Sequence, residues 1–196
     1  PAAPALRPLR KDKDEAVRVA AVEALSAIGP EPKEVLPAFL ETLKDNSDKV
    51  RRKLAEGFRQ MGEPAVPALL EAMKTGDVRV RPGAVEMLGQ VGAPAKAAVP
   101  ELTKALATTG LRRVAVASLG QIGPDAAPAV PQLVELLDDT NQRNRLEVME
   151  ALKKIGPGAK AAVPALVKLL GESSRLVRVG AADALGAVGP DAREAL

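Results

Sequence analysis

This sequence of 196 residues contains no cysteine and no histidine, and its only aromatic residues are Phe39 and Phe58. Without cysteine the chain cannot form a disulfide scaffold or supply a thiol nucleophile. Without histidine it cannot build a Ser-His-Asp triad or a histidine metal site. No apolar run approaches the roughly 18 residues that a membrane span needs. We therefore expect no catalytic residue, no metal site, no cofactor and no membrane span.

Neither sign of charge is in large excess. Lysine and arginine number 28 and the acidic residues 25, so the net charge is only +3. Such a small basic excess disfavours nucleic acid as a partner, because backbone binding relies on a strong positive field. Hydrophobic residues make up 46% of the chain, which predicts a folded protein and excludes a disordered one.

Glycine and proline are abundant by contrast, and their positions repeat. An apolar residue followed by glycine recurs six times, and the glycines lie 30 to 33 residues apart. A proline series and an arginine series keep the same period. A period near 30 predicts a solenoid of stacked repeats. The three series are Gly29, Gly62, Gly92, Gly123, Gly156 and Gly189; Pro4, Pro37, Pro67, Pro100, Pro131 and Pro164; Arg18, Arg51, Arg81, Arg112, Arg145 and Arg178.

Each repeat is predicted to hold two helices, A and B. The proline opens helix A, and apolar residues spaced three and four apart give each helix one buried face. Glycine ends helix B because it tolerates positive φ. Two core layers follow: Leu25, Phe58, Leu88, Leu119, Leu152 and Leu185, then Ile28, Met61, Val91, Ile122, Ile155 and Val188. The predicted units of this single domain, 1–196, are 1–29, 30–62, 63–92, 93–123, 124–156 and 157–189, with a partial seventh at 190–196.

These residues resemble the HEAT repeat, especially its bacterial form, which is related to the repeats of phycobilin lyase subunits. The features that carry the resemblance are the helix-A proline, an acidic residue eight positions later, and a Val-Arg pair that opens helix B, as in Val17-Arg18 and Val177-Arg178. The resemblance implies an all-α, right-handed α-solenoid of about six HEAT helix pairs, with the B helices lining its concave side. Asn144 and Leu111 replace the valine in two repeats.

The arginines and the acids define a structural ladder. Its members are Arg18, Arg51, Arg145 and Arg178, with Asp12, Asp45, Asp139 and Glu172 six residues earlier in the sequence. We expect each arginine to bond to the acid six residues before it and to the neighbouring interhelical loops; a phosphate-binding row is the alternative. Thr75 and Leu106 stand where the acid is expected in the third and fourth repeats, so Arg112 has no evident local partner.

Two rows of B-helix residues form the candidate concave interaction surface. An acidic row, opposite the predicted buried face, contains Glu23, Glu56, Glu86, Glu150 and Asp183. This row is either a groove for a basic or amide-rich ligand or a solvated face with pairs such as Glu56 with Arg59 and Glu150 with Lys153. A flanking row is either a partly apolar groove floor or a set of half-buried packing residues; it contains Val19, Arg52, Pro82, Arg113, Leu146 and Val179.

The leading hypothesis is a non-catalytic scaffold that binds another protein or peptide through the concave surface. The alternatives are binding to the nucleic-acid backbone and a role as a subunit of a chromophore-lyase-type enzyme, the latter implied by resemblance alone. We also expect the chain to be a segment of a longer array and to associate end to end with itself, because Val179, Ala182 and Val188 give its last helix no polar outer face.

Overall fold

A computed structural model describes residues 2–28 and 32–195, and these form twelve α-helices and no β-strand. Odd-numbered helices are the A helices of the repeats and even-numbered ones the B helices, so the predicted all-α fold of about six helix pairs is confirmed. The helices are α1 (Ala2–Leu6), α2 (Glu15–Ala27), α3 (Pro32–Thr42), α4 (Asp48–Met61), α5 (Val66–Thr75), α6 (Val80–Val91), α7 (Val99–Ala105), α8 (Thr109–Ile122), α9 (Val130–Glu135), α10 (Gln142–Ile155), α11 (Val163–Leu169) and α12 (Arg175–Val188).

The helices group into two compact units. Unit 1 extends to Val91 and contains α1 to α6, and unit 2 begins at Gly92 and contains α7 to α12. Within unit 1, α4 packs between α2 and α6. Within unit 2, α10 packs in the same way between α8 and α12. Successive B helices are therefore direct neighbours in each unit. None of the described helices is both long and apolar enough to cross a membrane.

The A helices of the later repeats are shorter than the sequence pattern suggested. In four repeats a 3-10 segment comes first, and the α-helix starts at the valine before the proline. Proline lacks an N–H and is tolerated at the second position of a helix, where that donor would have no partner within the helix. The 3-10 segments span Glu63–Ala65, Ala93–Ala98, Gly123–Ala129 and Gly156–Ala162. Another, Gly189–Ala195, follows α12, and the predicted end of the partial seventh unit, Leu196, lies outside the described residues.

Glycine ends five of the B helices or follows them directly. Positive φ occurs in the described residues only at Gly62, Gly92, Gly123, Gly156 and Gly189, with values from +62° to +80°. A side chain is disfavoured in this conformation because Cβ would crowd the backbone. The predicted glycine stop is thus confirmed at these positions, and Gly29 lies outside the described residues.

The first predicted core layer is buried in five of its six members. Leu25, Phe58, Leu88, Leu119 and Leu152 are each 0% exposed, whereas Leu185 of α12 is half-buried. Phe58 also packs edge to face on Phe39, with ring centroids 5.5 Å apart. The second layer is buried from Val91 onward, but Ile28 is 48% exposed and Met61 is half-buried. The prediction was wrong for Ile28, which directly follows α2 and keeps almost half of its surface exposed.

Truncation of an internal core leucine tests this packing. We expect Leu119→Ala or Leu152→Ala to lower the free energy of unfolding by about 2–5 kcal/mol, because each leaves a cavity between helices. Leu176→Ala is the matched control, since the Leu176 side chain is 59% exposed. Its effect should stay within about 0.5 kcal/mol. Urea unfolding of dilute protein measures all three variants, and equal effects would contradict the assignment of the buried face.

Candidate functional site

The acidic residues of the ladder shape the loops between the A and B helices. In Asp12, Asp45 and Asp139 a carboxylate oxygen accepts the main-chain N–H two residues later, at 2.7 to 2.8 Å. Asx turns of this kind fix the loop backbone just before a helix starts. The acids at these positions are therefore loop-forming residues in their own repeat.

The arginines connect one repeat to the next. Arg18 donates from Nε to Asp45 Oδ2 at 2.7 Å, and Asp45 belongs to the loop of the following repeat. Arg145 reaches Glu172 across the same sequence interval of 27 residues, at 3.5 Å. The Arg18–Asp45 pair is partly buried, with 19% and 10% of the two side chains exposed. The hydrogen bond that Arg18 donates to Asp45 raises the pKa of Arg18, because it stabilises the charged guanidinium.

Three of the four ladder arginines bond as expected to the residue six positions earlier, and they do so through its main chain. Arg18, Arg51 and Arg178 each donate to the main-chain carbonyl of that acid, at 2.8 to 3.3 Å, and not to its carboxylate. The carboxylates of Asp12 and Asp45 accept N–H groups of their own loops, and that of Asp45 also accepts Arg18 of the preceding repeat. A main-chain acceptor does not depend on the side chain, so Arg112 donates in the same way to Leu106 O at 2.8 Å. Arg112 thus has the local partner that the sequence failed to indicate.

At two places where the repeat pattern is broken, the structure shows contacts that the sequence did not indicate. Asn144, which replaces the valine of the Val-Arg pair, donates to Asp139 Oδ2 at 2.9 Å. This bond is the main reason why the pKa of Asp139 is lowered, followed by the Asn141 N–H. In the third repeat the acid is displaced to Asp77, two positions after Thr75. The only signal in the sequence is that Asp77 comes three residues before Val80, as an N-cap acid would.

Asp77 caps the start of α6 and also forms an ion pair with Lys44 in the loop between α3 and α4. Lys44 Nζ lies 2.8 Å from Asp77 Oδ2, and the N–H groups of Arg79 and Val80 donate to Oδ1. Lys44 first and these N–H groups second lower the pKa of Asp77 to about 2. Because the folded-state pKa lies below the ordinary value of 3.8, the ionised carboxylate stabilises the folded protein above about pH 4. That contribution is lost as the pH falls from about 4 to about 2.

The acidic row lies on the exposed side of the B helices and has its own counter-ions. The side chains of Glu23, Glu56, Glu150 and Asp183 are each at least half exposed, and Glu86 is half-buried. Lys53 Nζ lies 3.3 Å from Glu23 and 3.0 Å from Glu56. In unit 2, Lys153 contacts Asp183 at 2.9 Å and Lys154 contacts Glu150 at 3.5 Å.

The two i,i+3 pairs named from the sequence, Glu56 with Arg59 and Glu150 with Lys153, are replaced by other pairs, of which Lys53–Glu56 is also of the i,i+3 kind. Glu56 pairs with Lys53, while Arg59 donates to the side-chain oxygen of Gln90 at 2.6 Å. The pKa of Lys53 is raised, first by Glu56 and then by Glu23, and that of Lys153 is raised by Asp183. The lysines stay charged and reduce the negative charge of the row.

The structure brings six of the predicted surface residues into two grooves. One groove of about 420 Å³ in unit 2 is lined by Arg113, Leu146 and Glu150, with Ala117 at the position where the acidic row is interrupted. Another, of about 470 Å³ in unit 1, is lined by Arg52, Glu56 and Glu86. The other predicted residues line neither groove: Val19 and Pro82 are half-buried, Glu23 and Asp183 are exposed, and Val179 is 50% exposed.

Further residues outside the two predicted rows complete these grooves. Arg113 and Arg143 both donate to Glu147 Oε1 in unit 2, at 3.1 and 3.3 Å. In unit 1 the walls include Arg59 and Gln90, which are bonded to each other. No group of three or more acidic side chains in the described residues is arranged to hold a metal ion. The grooves therefore present fixed charge pairs next to small and apolar side chains.

A double-mutant cycle tests the bond between repeats. We expect Arg18→Ala and Asp45→Ala to couple by more than the 0.3–0.5 kcal/mol or so within which independent sites add. Asp12→Ala is the matched control, because Asp12 supports the same kind of turn but gives Arg18 only its main-chain oxygen. The coupling of Arg18→Ala with Asp12→Ala should stay within that limit in urea unfolding. A cycle that couples Arg18 to Asp12 as strongly as to Asp45 would contradict the pairing.

The comparisons with known proteins fit this geometry. A family model described as HEAT repeats matches residues 1–57, 36–110 and 99–186. No curated protein matches the sequence. Among solved structures, the CpcE–CpcF complex of phycocyanin lyase from Nostoc sp. PCC7120 is similar with a TM-score of 0.64 and 19% identity, over 76% of this chain and 97% of that one.

Two further similar structures are not natural proteins. A designed armadillo repeat protein in complex with the peptide (KR)4 has a TM-score of 0.59 and 19% identity, over 94% of this chain and 98% of that one. An engineered protein has a TM-score of 0.57 and 21% identity, over 97% and 98%. Identities this low show the fold alone. The family matches, by contrast, extend with overlap from residue 1 to residue 186, and the chain therefore belongs to the HEAT-repeat family.

Proposed function

We propose that this HEAT-repeat chain is a non-catalytic scaffold that binds another protein or peptide along its B-helix surface. The observation that carries the proposal is the pair of grooves on the B helices, because both contain residues predicted from the repeat pattern. Repeat scaffolds offer a preformed surface, so a partner loses little binding free energy to the ordering of the scaffold.

The unit 2 groove has an apolar floor and charged walls. Ala117, Leu146 and Ala151 supply aliphatic surface, and Arg113 and Glu150 stand beside them. Small apolar side chains framed by charges resemble the core and rim of a protein interface. An extended segment with one aliphatic anchor and flanking charges of both signs matches this lining.

The charge balance favours a protein over a nucleic acid. In unit 2 the groove has three cations and two carboxylates, an excess of 3 − 2 = +1. In unit 1 three arginines face three carboxylates, a balance of zero. A phosphate backbone repels carboxylates and requires a surface of consistently positive charge. A protein surface carries both signs and can pair with such walls.

The structural neighbours support the same class of partner. A designed armadillo repeat protein of similar fold is in complex with a peptide, and CpcE and CpcF form a complex with each other. The likeness to the lyase complex also keeps a lyase-subunit role as a second candidate. Its distinguishing sign is a pigment that copurifies with the protein and absorbs visible light.

A selection from a random peptide library tests the proposal. We expect the protein to enrich peptides whose binding Arg113→Glu weakens by about tenfold or more, which corresponds to 1.4 kcal/mol. Lys168→Glu is the matched control, an equal charge reversal at an exposed residue of the A helix α11, and it should leave the affinity unchanged within about twofold. Fluorescence anisotropy of the selected peptides measures both.

Two results would overturn the proposal. One is that no peptide is enriched, or that Arg113→Glu and Lys168→Glu act alike. The other is micromolar binding of a random DNA duplex whose affinity falls steeply between about 50 and 200 mM salt, which would assign the surface to the nucleic-acid backbone.

A further inference from the structure

A small side pocket adjoins the unit 2 groove and has a lining of its own. It lies between α8, the 3-10 turn that follows α9, and α10, and its volume is about 150 Å³. Arg113 and Glu147 line both the groove and the side pocket, so the two spaces meet at this ion pair. Sites for whole small-molecule ligands usually measure about 300 Å³ or more, so the side pocket is suited to a single side chain.

The side pocket lies where a bond of the ladder is missing. Asp139 follows Arg112 by 27 residues, the interval that separates the partners in the two ladder ion pairs between repeats. Arg112 nevertheless donates only from Nε, to Leu106 O, and its Nη1 and Nη2 donate to no described residue. The Asp139 carboxylate accepts the side-chain amide of Asn144 at 2.9 Å. Two guanidinium nitrogens are thus left for another acceptor.

Other polar atoms of the lining also have unused capacity. Arg113 donates from Nε to Glu147 Oε1, and its Nη atoms donate to no described residue. Glu147 Oε2 accepts no hydrogen bond from the described residues. The pKa of Asp139 is lowered first by the hydrogen bond from Asn144 and last, through space, by the charge of Arg112. Arg112 and Asp139 therefore act on each other across the side pocket without a direct bond.

Aliphatic side chains supply much of the remaining lining. Val116 and Val148 are 3% and 2% exposed, and Leu136 is half-buried. Burial of methylene groups against such side chains is favourable, whereas a polar atom placed there needs a hydrogen-bond partner. A side chain that fits this lining has an aliphatic stem and a polar end.

The charges of the lining favour a neutral polar end. Two guanidinium groups and two carboxylates line the side pocket, so their charges cancel. A bound carboxylate would lie close to Asp139 and Glu147, which repel it. A bound ammonium group would lie close to Arg112 and Arg113, with the same result. A carboxamide is uncharged and has an acceptor oxygen and an NH2 donor on one planar group, so it can bond to both kinds of wall.

We propose that the side pocket receives the carboxamide of a glutamine side chain from the protein or peptide that occupies the unit 2 groove. The amide oxygen accepts from Arg112 Nη, the NH2 group donates to the Asp139 carboxylate, and the methylene groups lie on Val116 and Val148. Asparagine has the same carboxamide on a stem that is one methylene shorter. The inference rests on the proposed function, because it assigns one residue of the partner that the groove binds.

Changes in the bound peptide test the side pocket separately from the groove. We expect the peptides selected from the library to share a glutamine or asparagine. Its replacement by glutamate, lysine or methionine should weaken binding by about tenfold or more, since each leaves polar groups of the lining without a partner or adds a charge. Fluorescence anisotropy measures the series. Peptides that bind through Arg113 but need no carboxamide would overturn this inference and leave the scaffold proposal standing, whereas failure to enrich any peptide would remove both.

Arg112→Lys tests the protein side of the same contact. Lysine keeps the charge and the aliphatic stem but lacks the forked Nη donors. We expect this variant to bind the glutamine peptide about tenfold more weakly and its methionine analogue unchanged within about twofold. Arg81→Lys is the matched control, because Arg81 of unit 1 also donates only from Nε to a main-chain oxygen, Met73 O at 3.1 Å. It should bind both peptides like the wild type.

The difference between the two peptides separates recognition from folding. A general loss of structure in Arg112→Lys would weaken the glutamine and the methionine peptide by the same factor. Equal losses for the two peptides, or no loss for either, would overturn the assignment of the side pocket to a carboxamide. Urea unfolding of Arg112→Lys and Arg81→Lys, compared with the wild type, records any change in stability directly.

Discussion

The close packing of each B helix on the next is the contact on which this structure depends. This close packing is clearest at Gly57 and Gly120, where a single added carbon atom would overlap the neighbouring repeat. With almost no aromatic residues, the core relies on short distances between small and aliphatic side chains. The ladder arginines support the same contact at the loops, where Arg18 spans from its own repeat to Asp45 of the following one.

This arrangement explains which parts of the protein could be predicted. Local rules predict the repeat period, the pairing of helices, the glycine stops at Gly62 to Gly189 and most of the core. They do so reliably because the same residue pattern recurs in each repeat. The acceptor atoms of the arginines did not follow, because a spacing of six residues between Asp12 and Arg18 does not show whether the main chain or the side chain of Asp12 accepts the bond. The exposure of Ile28 and Leu185 also escaped prediction, because the pattern treats every repeat as if it had two neighbours.

The exposure of most of the acidic row follows from the repeat pattern, but its counter-ions do not. The exposed carboxylates of Glu23 and Glu56 were evident from the repeat, but their shared counter-ion, Lys53, lies at a position where the other repeats have no lysine. In the structure, therefore, this surface is not uniformly acidic. Pairs of opposite charge lie around aliphatic side chains. Specificity on such a surface depends on matching several pairs at once, and little on net attraction.

Native-state hydrogen exchange tests most directly the central claim that neighbouring B helices hold the fold together. A B helix with neighbours on both sides should open only with its whole unit, whereas one with a single described neighbour opens locally at lower free energy. In dilute protein we therefore predict that the amides of α10 exchange more slowly than those of α12, although both helices have 14 residues and end at a glycine of positive φ. Equal protection of α10 and α12 in the dilute monomer would show that packing between repeats is not what stabilises these helices.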